Sequence, residues 1–392
     1  MSPKPFAIRP AIFSLFLAIL LVAGSFFLLE GTLRLIWKNP NVYPWSDYSG
    51  YVRLLRPGQK ESYDISGLYE GAGQIRFQTG PLGEILQTGC PGKSWAIGGS
   101  TTECRYVPED SRWPDLIQPE SLVNHGSSGC ALGDLYFNLK FLFLNQAKAP
   151  RAIYLMEAVN DLSSWEDYVE SGGDPGIWAR RRSRFNTNPQ GFRTWIDQKI
   201  WLLGWYHDLR QRYPLRHFGA WTARDFYLRL REKSRIGREE APLSAESLER
   251  FQKGPFQEFL QAREKIFLEL RVLVEARGVA LVLMTQPNSF REDYHPFGGV
   301  DLRDTPELRG GFASYAQTGQ LLRKINEQTR QWSRVQGLGL VDLESAFQRE
   351  NPSPLFYDSV HFTTQGSKKV AESIRQTRLD PKPAKSSPGS SF

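Results

Sequence analysis

The chain has 392 residues, of which 40% are hydrophobic and 23% are charged. This length and balance fit one large globular domain with additions, or two smaller domains, and they exclude a fibrous or wholly disordered chain. The formal net charge is +7. Three cysteines, Cys90, Cys104 and Cys130, show neither zinc-site spacing nor a CxxC motif. They predict buried free thiols or, in an oxidising compartment, one disulfide.

The first predicted element is an uncharged apolar run, Ala11–Leu29. At about 1.5 Å per residue, its 19 residues span roughly the 30 Å hydrocarbon core of a membrane. Lys4 and Arg9 precede the run and favour a cytoplasmic amino terminus, although Arg34 and Lys38 follow it and weaken the bias. The run predicts that residues 1–30 form an uncleaved anchor and that the rest of the chain lies outside the cytoplasm.

The alternative is a cleaved signal peptide, since Val22-Ala23-Gly24 offers small residues of the kind found at cleavage sites. The apolar run, however, continues past this point through Phe26 and Phe27 to Leu29. Because the apolar segment of a signal peptide is usually shorter, the sequence favours the anchor.

Beyond the anchor, residues 31–75 are predicted to form an extended or irregular stalk, residues 76–378 the main domain, and residues 379–392 a disordered tail. In the main domain, short apolar runs without polar alternation predict strands that are buried on both faces. These runs are Ser94–Ile97, Leu122–Val123, Ala152–Met156, Val279–Thr285 and Leu338–Leu343. Helical patterns cover Ala131–Gln146, Pro255–Arg277, Tyr315–Gln336 and Thr364–Arg375. The alternation predicts a parallel sheet with helices on both faces.

An insertion at about residues 163–255 interrupts this alternation, because a simple crossover needs far fewer than the roughly 100 residues between the third and fourth strands. Between Trp178 and Arg238 there are 15 Lys or Arg and 4 Asp or Glu, a net charge of +11, so the remaining residues sum to −4. The same stretch contains Trp178, Trp195, Trp201, Trp205 and Trp221.

Three interpretations of this basic, aromatic stretch stay open. It can be a cap on the active site with a solvated cationic face. It can rest on anionic lipid headgroups through an interfacial helix around Trp195–Trp205, since tryptophan favours the headgroup level. It can also bind an anionic glycan, with tryptophans stacked on sugar rings.

The first predicted strand leads into Gly98-Gly99-Ser100-Thr101. A serine just past the carboxyl end of a buried strand lies where open α/β sheets bind ligands. The two glycines let the backbone turn tightly and approach a substrate closely. The motif makes Ser100 a candidate nucleophile, with Gly99 and Thr101 as candidate pocket residues, although Gly-Gly-Ser is also an ordinary loop.

Two further strands end in polar loops. The second leads into His125-Gly126-Ser127-Ser128-Gly129, where a glycine can turn its N–H toward an oxyanion, and His125 is a further candidate pocket residue. The third leads into Asn160-Asp161, and an Asn amide at this point can donate to a developing negative charge. Each loop by itself is also a common turn.

Near the carboxyl terminus the chain contains Asp358-Ser359-Val360-His361. An Asp and a His three residues apart can meet on one turn. The carboxylate can then hold the tautomer of the imidazole and stabilise its charged form, as a catalytic triad requires. The motif predicts Asp358 and His361 as orienter and general base.

In this order, Ser, Gly, Asn and Asp-x-x-His, the sequence resembles the SGNH/GDSL hydrolase superfamily. The resemblance implies a three-layer α/β/α, flavodoxin-like parallel sheet and a triad of Ser100, Asp358 and His361. It also implies an oxyanion hole formed by the N–H groups of Ser100 and Gly129 and the amide of Asn160. No cofactor and no metal are expected.

The lead-in to the first block, Arg76-Phe77-Gln78-Thr79 with Leu82-Gly83, resembles that of membrane-tethered bacterial members. This similarity implies an anchor in the bacterial inner membrane and a periplasmic catalytic domain.

The chain departs from the family pattern in two places. Gly99 replaces the Asp of the GDS triplet, and Ala158 stands where a glycine is usual in the third block. Neither change removes a residue of the implied triad or oxyanion hole. An α/β-hydrolase elbow is disfavoured, because it requires Gly-x-Ser-x-Gly and Thr102 occupies the place of the second glycine.

The predicted activity is that of a serine esterase acting on an O-acylated, in particular O-acetylated, envelope or extracellular glycan. The acyl-enzyme would be resolved by water in an esterase or by a sugar hydroxyl in an acetyltransferase. Two other functions stay open, a lipid esterase and a non-catalytic partner in polysaccharide assembly. Nucleic acid is not predicted as a partner of a domain outside the cytoplasm.

Overall fold

The computed structural model describes residues 10–36, 52–87, 91–117, 121–146, 148–185, 200, 202, 243–291, 307–308 and 311–377. Contacts divide the chain into two units. The described residues of the smaller unit are chiefly one helix, α1, and those of the larger unit form the sheet and the helices around it.

Helix α1 (Pro10–Ile36) extends past the predicted boundary at residue 30. Its segment Ser14–Ile36 is long and apolar enough to cross a membrane, and a signal sequence meets the same criteria of length and composition. Near its end, Glu30 forms an ion pair with Arg34 at 2.8 Å and accepts the main-chain N–H of Leu202 at 2.9 Å. A residue of the predicted insertion therefore belongs to the same unit as this helix.

A β-hairpin occupies part of the predicted stalk. Strands β1 (Lys60–Asp64) and β2 (Gln74–Gln78) pair antiparallel, and Ile75 of β2 packs with Ile65 and Tyr357 in a buried cluster of the main domain. The stalk prediction is therefore wrong for the described residues from 52 onward. On β2, buried and exposed residues alternate, with Ile75 and Phe77 buried, so the hairpin lacks the continuous apolar runs that predicted the strands of the main sheet.

Five parallel strands form the main sheet, in the order β4-β3-β5-β6-β9. They are β3 (Pro91–Gly98), β4 (Ser121–Asn124), β5 (Ala152–Met156), β6 (Ala280–Met284) and β9 (Gly339–Val341). Each coincides with a predicted run, and in chain order the arrangement is 2-1-3-4-5, the flavodoxin-like order. A separate two-residue ladder joins β7 (Glu307–Leu308) to β8 (Gly311–Phe312).

The register brings the carboxyl ends of the strands to one edge. Gly98 pairs with Met156, Met156 with Met284, and Met284 with Val341. The residues that follow these positions therefore emerge side by side. The chain leaves β3 toward β4 on one side and returns to β5 on the other, so the loops after β3 and β5 flank the topological switch point, where open α/β sheets bind ligands.

Helices cover both faces of the sheet. They are α2 (Ser100–Glu103), α3 (Leu132–Asn145), α4 (Val159–Ser163), α5 (Trp165–Ser171), α6 (Pro175–Phe185), α7 (Ala245–Lys253), α8 (Pro255–Glu275), α9 (Tyr315–Gln336), α10 (Leu343–Gln348) and α11 (Thr364–Gln376). Trp95 of β3 stacks on Phe143 of α3, whereas its neighbour Ala96 packs with Val370 and Ala371 of α11. Because successive strand residues point to opposite faces, the predicted three-layer α/β/α fold is confirmed.

Local chemistry sets several helix ends. Ser314 and Thr363 cap α9 and α11 by accepting the N–H groups of Gln317 and Gly366, at 3.3 and 3.2 Å. Pro255 starts α8, where its missing N–H costs nothing. Asp342 caps α10, which explains why the last strand ends before the predicted limit at Leu343.

The flanks of the predicted insertion belong to the core. Trp178 of α6 is fully buried; its ring lies 4.3 Å from that of Tyr168 and fills the space beside Gly133. This tryptophan is therefore unavailable to stack on a sugar ring, and the lipid interpretation does not depend on it. The other four tryptophans, the interfacial helix around Trp195–Trp205 and the tail at residues 379–392 lie outside the described residues.

If the hairpin is part of the folded domain, Phe77→Ala should lower the free energy of unfolding by about 3–5 kcal/mol. Phe77 is fully buried and lies under the guanidinium of Arg105, at 4.5 Å from the ring centroid. Urea unfolding of the full-length protein in detergent measures the change. Val335→Ala, at a site 69% exposed, is the control and should stay within about 0.5 kcal/mol of wild type. Equal stability of the two variants would restore the stalk prediction.

Candidate active site

Ser100 is the first residue of the short helix α2, directly after β3 and Gly99. A side chain on Gly98 would meet the carbonyl oxygen of Met156 at 2.4 Å. The glycine therefore lets β3 and β5 stay close up to the edge of the sheet. Ser100 lies at the end of a strand in the structure, as the sequence predicts.

The three predicted triad residues form one hydrogen-bonded chain. The Ser100 Oγ lies 2.7 Å from the Nε2 of His361, and the Nδ1 of His361 lies 2.6 Å from the Oδ2 of Asp358. Serine and histidine are 261 residues apart in the chain, so the contact depends on the packing of α11 and its preceding loop against the sheet. This geometry allows His361 to accept the Ser100 proton.

Asp358 is fully buried and its other oxygen is also engaged. The Oδ1 accepts the main-chain N–H groups of Val360 at 2.9 Å and His361 at 2.7 Å. Burial alone would raise the pKa of this carboxyl, but the charge and hydrogen bonds of His361, with the Val360 N–H, hold it below its ordinary value. Asp358 is therefore kept ionised and can stabilise an imidazolium.

An aromatic ladder supports the imidazole of His361. The ring of Tyr357 stacks on it at 5.6 Å with an interplanar angle of 10°, and Tyr69 stacks in turn on Tyr357 at 5.8 Å. Sequence reasoning missed both tyrosines. Tyr69 lies in the predicted stalk, and nothing local to it indicates a contact with residue 357.

Asn160 lies close to the nucleophile loop. Its Nδ2 donates to the carbonyl oxygen of Cys130 at 2.9 Å and, over a longer distance of 3.4 Å, to the Oε2 of Glu157. A side chain on Gly99 would meet the same Nδ2 at 2.2 Å. The Asn160 amide therefore occupies the space beside Gly99 that any larger residue would fill, next to Ser100.

A buried carboxyl stands behind this amide. Glu157 accepts the N–H groups of Ala158 and Asn160 at 3.0 and 3.1 Å. Burial, and next the nearby charge of Asp161, raise the pKa of Glu157 well above its ordinary value. The shift favours a neutral carboxyl beside Asn160, which limits repulsion of any negative charge that develops there.

The third predicted oxyanion residue, Gly129, has a φ of +71°, in the left-handed region that favours glycine. Its carbonyl oxygen accepts a hydrogen bond from the Nη1 of Arg53 at 2.8 Å. Arg53 lies in the predicted stalk and was not expected at the site.

The candidate pocket residues have different environments. The side chain of Thr101 is buried in α2, and His125 is buried against Trp95 at 5.2 Å between ring centroids. Neither nitrogen of the His125 ring has a hydrogen-bond partner among the described residues, and burial lowers its pKa to about 3. Thr101 and His125 therefore support the loops rather than line an open pocket, while Gly99 faces Asn160.

Two of the three cysteines are described, and both are buried free thiols. Burial raises the pKa of Cys104 and Cys130 to about 12, so neither forms a reactive thiolate near neutral pH. Cys90 lies outside the described residues.

Gly99→Ala should lower kcat for p-nitrophenyl acetate by roughly a hundredfold, because the added methyl must displace the Asn160 amide and small misplacements at a reacting centre are costly. Steady-state kinetics on the full-length protein measure the effect. Gly73→Ala is the matched control, since no atom lies within 4 Å of its added methyl. Wild-type kinetics for Gly99→Ala would show that the Asn160 amide is not part of the active site.

No protein-family model matches the chain, and no curated protein sequence matches it. Among solved structures, the chain is similar to a lipolytic protein of the G-D-S-L family from Veillonella parvula, with 13% identity over 73% of this chain and 98% of that chain and a TM-score of 0.34. It is similar to phospholipase A1 from Streptomyces albidoflavus, with 11% identity, coverage of 72% and 98%, and a TM-score of 0.37. It is also similar to an acetyl xylan esterase, with 13% identity over 73% of this chain and 100% of that chain and a TM-score of 0.36.

Proposed function

We propose that the chain is an SGNH-type serine hydrolase that cleaves ester bonds, with Ser100 as nucleophile. The observation that carries the proposal is the continuous hydrogen-bonded chain from Ser100 through His361 to Asp358, with distances of 2.7 and 2.6 Å. This arrangement is the one that activates a serine hydroxyl at neutral pH.

The reaction has two acyl transfers. The Nε2 of His361 takes the proton of Ser100 as its Oγ attacks the ester carbonyl, and Asp358 stabilises the resulting imidazolium. Collapse of the tetrahedral intermediate breaks the ester C–O bond, and His361 returns the proton to the leaving alcohol. A water molecule, deprotonated by His361, then attacks the acyl-enzyme. The bond between the Ser100 Oγ and the acyl carbon breaks, His361 returns the proton to Ser100, and the carboxylic acid leaves.

Three donors are proposed for the oxyanion. The N–H of Ser100 stands at the first position of α2, where N–H groups have no partner inside the helix. The N–H of Gly129 and the amide of Asn160, whose long contact with Glu157 at 3.4 Å would give way to the oxyanion, complete the set. Donors held rigidly where charge develops stabilise the transition state without reorganising during the reaction.

The substrate is proposed to be an O-acylated, in particular O-acetylated, glycan of the bacterial envelope or its surroundings. Support comes from the apolar helix α1, which would hold the domain at the inner membrane on its periplasmic side. The triad argues against a purely structural partner in polysaccharide assembly, since such a partner has no need of an activated serine.

A fluorophosphonate probe should label wild-type protein at Ser100, and Ser100→Ala should lose both labelling and ester hydrolysis. The reason is that phosphonylation requires a nucleophilic serine with its base in place. Ser66→Ala, at an exposed site of the hairpin region, is the control and should react normally. A wild-type protein that stays unlabelled would refute the proposed activity.

The same preparation should release acetate from an O-acetylated polysaccharide, with phospholipid vesicles as the competing substrate. Faster release of fatty acid from the vesicles than of acetate from the polysaccharide would contradict the glycan assignment and favour a lipid esterase.

Asn160→Ala should lower kcat by roughly 100- to 1,000-fold, because one oxyanion donor contributes about 2.7–4 kcal/mol to transition-state stabilisation. Kinetics with p-nitrophenyl acetate measure the loss. Asn145→Ala is a matched control, since this exposed residue also donates its amide to a main-chain carbonyl, at 2.8 Å, but lies at the end of α3. Near-normal turnover of Asn160→Ala would exclude the amide from the oxyanion hole.

A further inference from the structure

The loop after β4 carries Gly129, and side chains hold it on both sides. On one side, Glu103 at the end of α2 accepts the main-chain N–H of Ser128 at 2.5 Å and also the Ser128 hydroxyl. Glu103 is fully buried, while Ser128 is exposed. The nucleophile helix is thus bonded directly to the residue before Gly129.

On the other side of the loop, the carbonyl of Gly129 itself is held by Arg53. Its Nη1 donates to the oxygen of Gly129 at 2.8 Å and to Asp134 at 3.3 Å. The main-chain N–H of Arg53 donates to Asn138 of α3 at 2.7 Å, and Val52 and Leu54 on either side are buried. The guanidinium is therefore held in place by its own backbone as well as by its acceptors.

These contacts pin the two peptide groups that flank the Ser128–Gly129 peptide. Glu103 holds the N–H of the peptide before it, and Arg53 holds the C=O of the peptide after it. Glycine tolerates many backbone conformations, so a free Gly129 could rotate its N–H away from the nucleophile. With both neighbours fixed, the direction of that N–H is determined before substrate arrives.

Both holding groups are themselves paired, so neither adds an unbalanced charge. The Nε of Arg105 lies 2.5 Å from Glu103, and Asp134 lies within ion-pair distance of Arg53. Asp134 also accepts the N–H of Ala131 at the start of α3, which ties the loop to that helix. The charge balance suits a role in positioning rather than in binding an ionic substrate.

We propose that Arg53 and Glu103 are positioning residues that orient the Gly129 N–H toward the oxyanion formed at Ser100. The inference rests on the proposed hydrolase function and extends the site to a segment that the sequence analysis assigns to a stalk. Misplacing a transition-state donor slows chemistry more than it weakens substrate binding. The effect of losing either residue should therefore appear in kcat.

The test compares Arg53→Met, Arg53→Lys and Glu103→Gln with wild type, as full-length proteins in detergent. In Arg53→Met and Glu103→Gln, kcat for p-nitrophenyl acetate should fall about tenfold or more, with KM within about threefold. Phosphonylation of Ser100 should slow in parallel, because the phosphonyl oxygen occupies the same hole. Arg53→Lys keeps a donor and a charge and should recover most of the rate.

Arg271→Met is the matched control. Its side chain is 27% exposed against 29% for Arg53, and it also bonds two acceptors, Glu275 and Gln336, on the far helices α8 and α9. Its kinetics should match wild type. Thermal unfolding of each variant identifies any that fail to fold; if Arg53→Met does, Glu103→Gln, which preserves side-chain size, decides the question.

The outcomes separate the two proposals. A wild-type protein that the fluorophosphonate does not label refutes the hydrolase assignment itself. A labelled wild type with folded Arg53→Met or Glu103→Gln variants whose kcat stays within twofold of it overturns the positioning role alone. A kcat for Arg53→Lys as low as that of Arg53→Met would also overturn the positioning role, since the positive charge and the hydrogen-bond donor would then have no effect on catalysis.

Discussion

A buried ion pair between Asp161 and Arg263 connects the loops on which the site is built. Its nitrogen and oxygen are 2.6 Å apart, and both side chains are excluded from solvent. Asp161 also accepts the N–H of Leu132 and the hydroxyl of Tyr168, and Arg263 donates to the Glu157 carbonyl. Such a pair adds little net stability, yet losing one partner costs about 3–5 kcal/mol. It therefore fixes the loops after β4 and β5 in one arrangement.

The site follows from this constraint and from the sheet order. The loops after β3 and β5 emerge beside each other at the switch point, and Gly99 leaves room for the Asn160 amide between them. The Asp358 loop reaches the same edge and is held there by the packing of α11 against Ala96 and Met156. The surroundings give the two carboxyls near the site opposite properties. The charge and hydrogen bonds of His361 keep Asp358 ionised, whereas burial and the charge of Asp161 push Glu157 toward its neutral form.

Much of this arrangement could be predicted from the sequence. The strands buried on both faces appear as continuous apolar runs, and the first three runs lead into the loops that carry Ser100, Gly129 and Asn160. The hairpin could not be predicted in this way, because buried and exposed residues alternate on β2 and Tyr357, which packs with it, is far along the chain. The burial of Trp178 could not be predicted for a related reason: a cationic stretch of sequence does not reveal which of its aromatic side chains faces the core.

The sequence by itself determined the fold class, the strand positions of the main sheet and the residue types of the candidate site, since all of these depend on local periodicity and short motifs. Only the tertiary structure decided which residues surround Ser100. The contact of Arg53 with Gly129 spans 76 positions, and that of His361 with Ser100 spans 261. Contacts over such separations are set by how the helices and the hairpin pack on the sheet, and that packing leaves no local pattern in the chain.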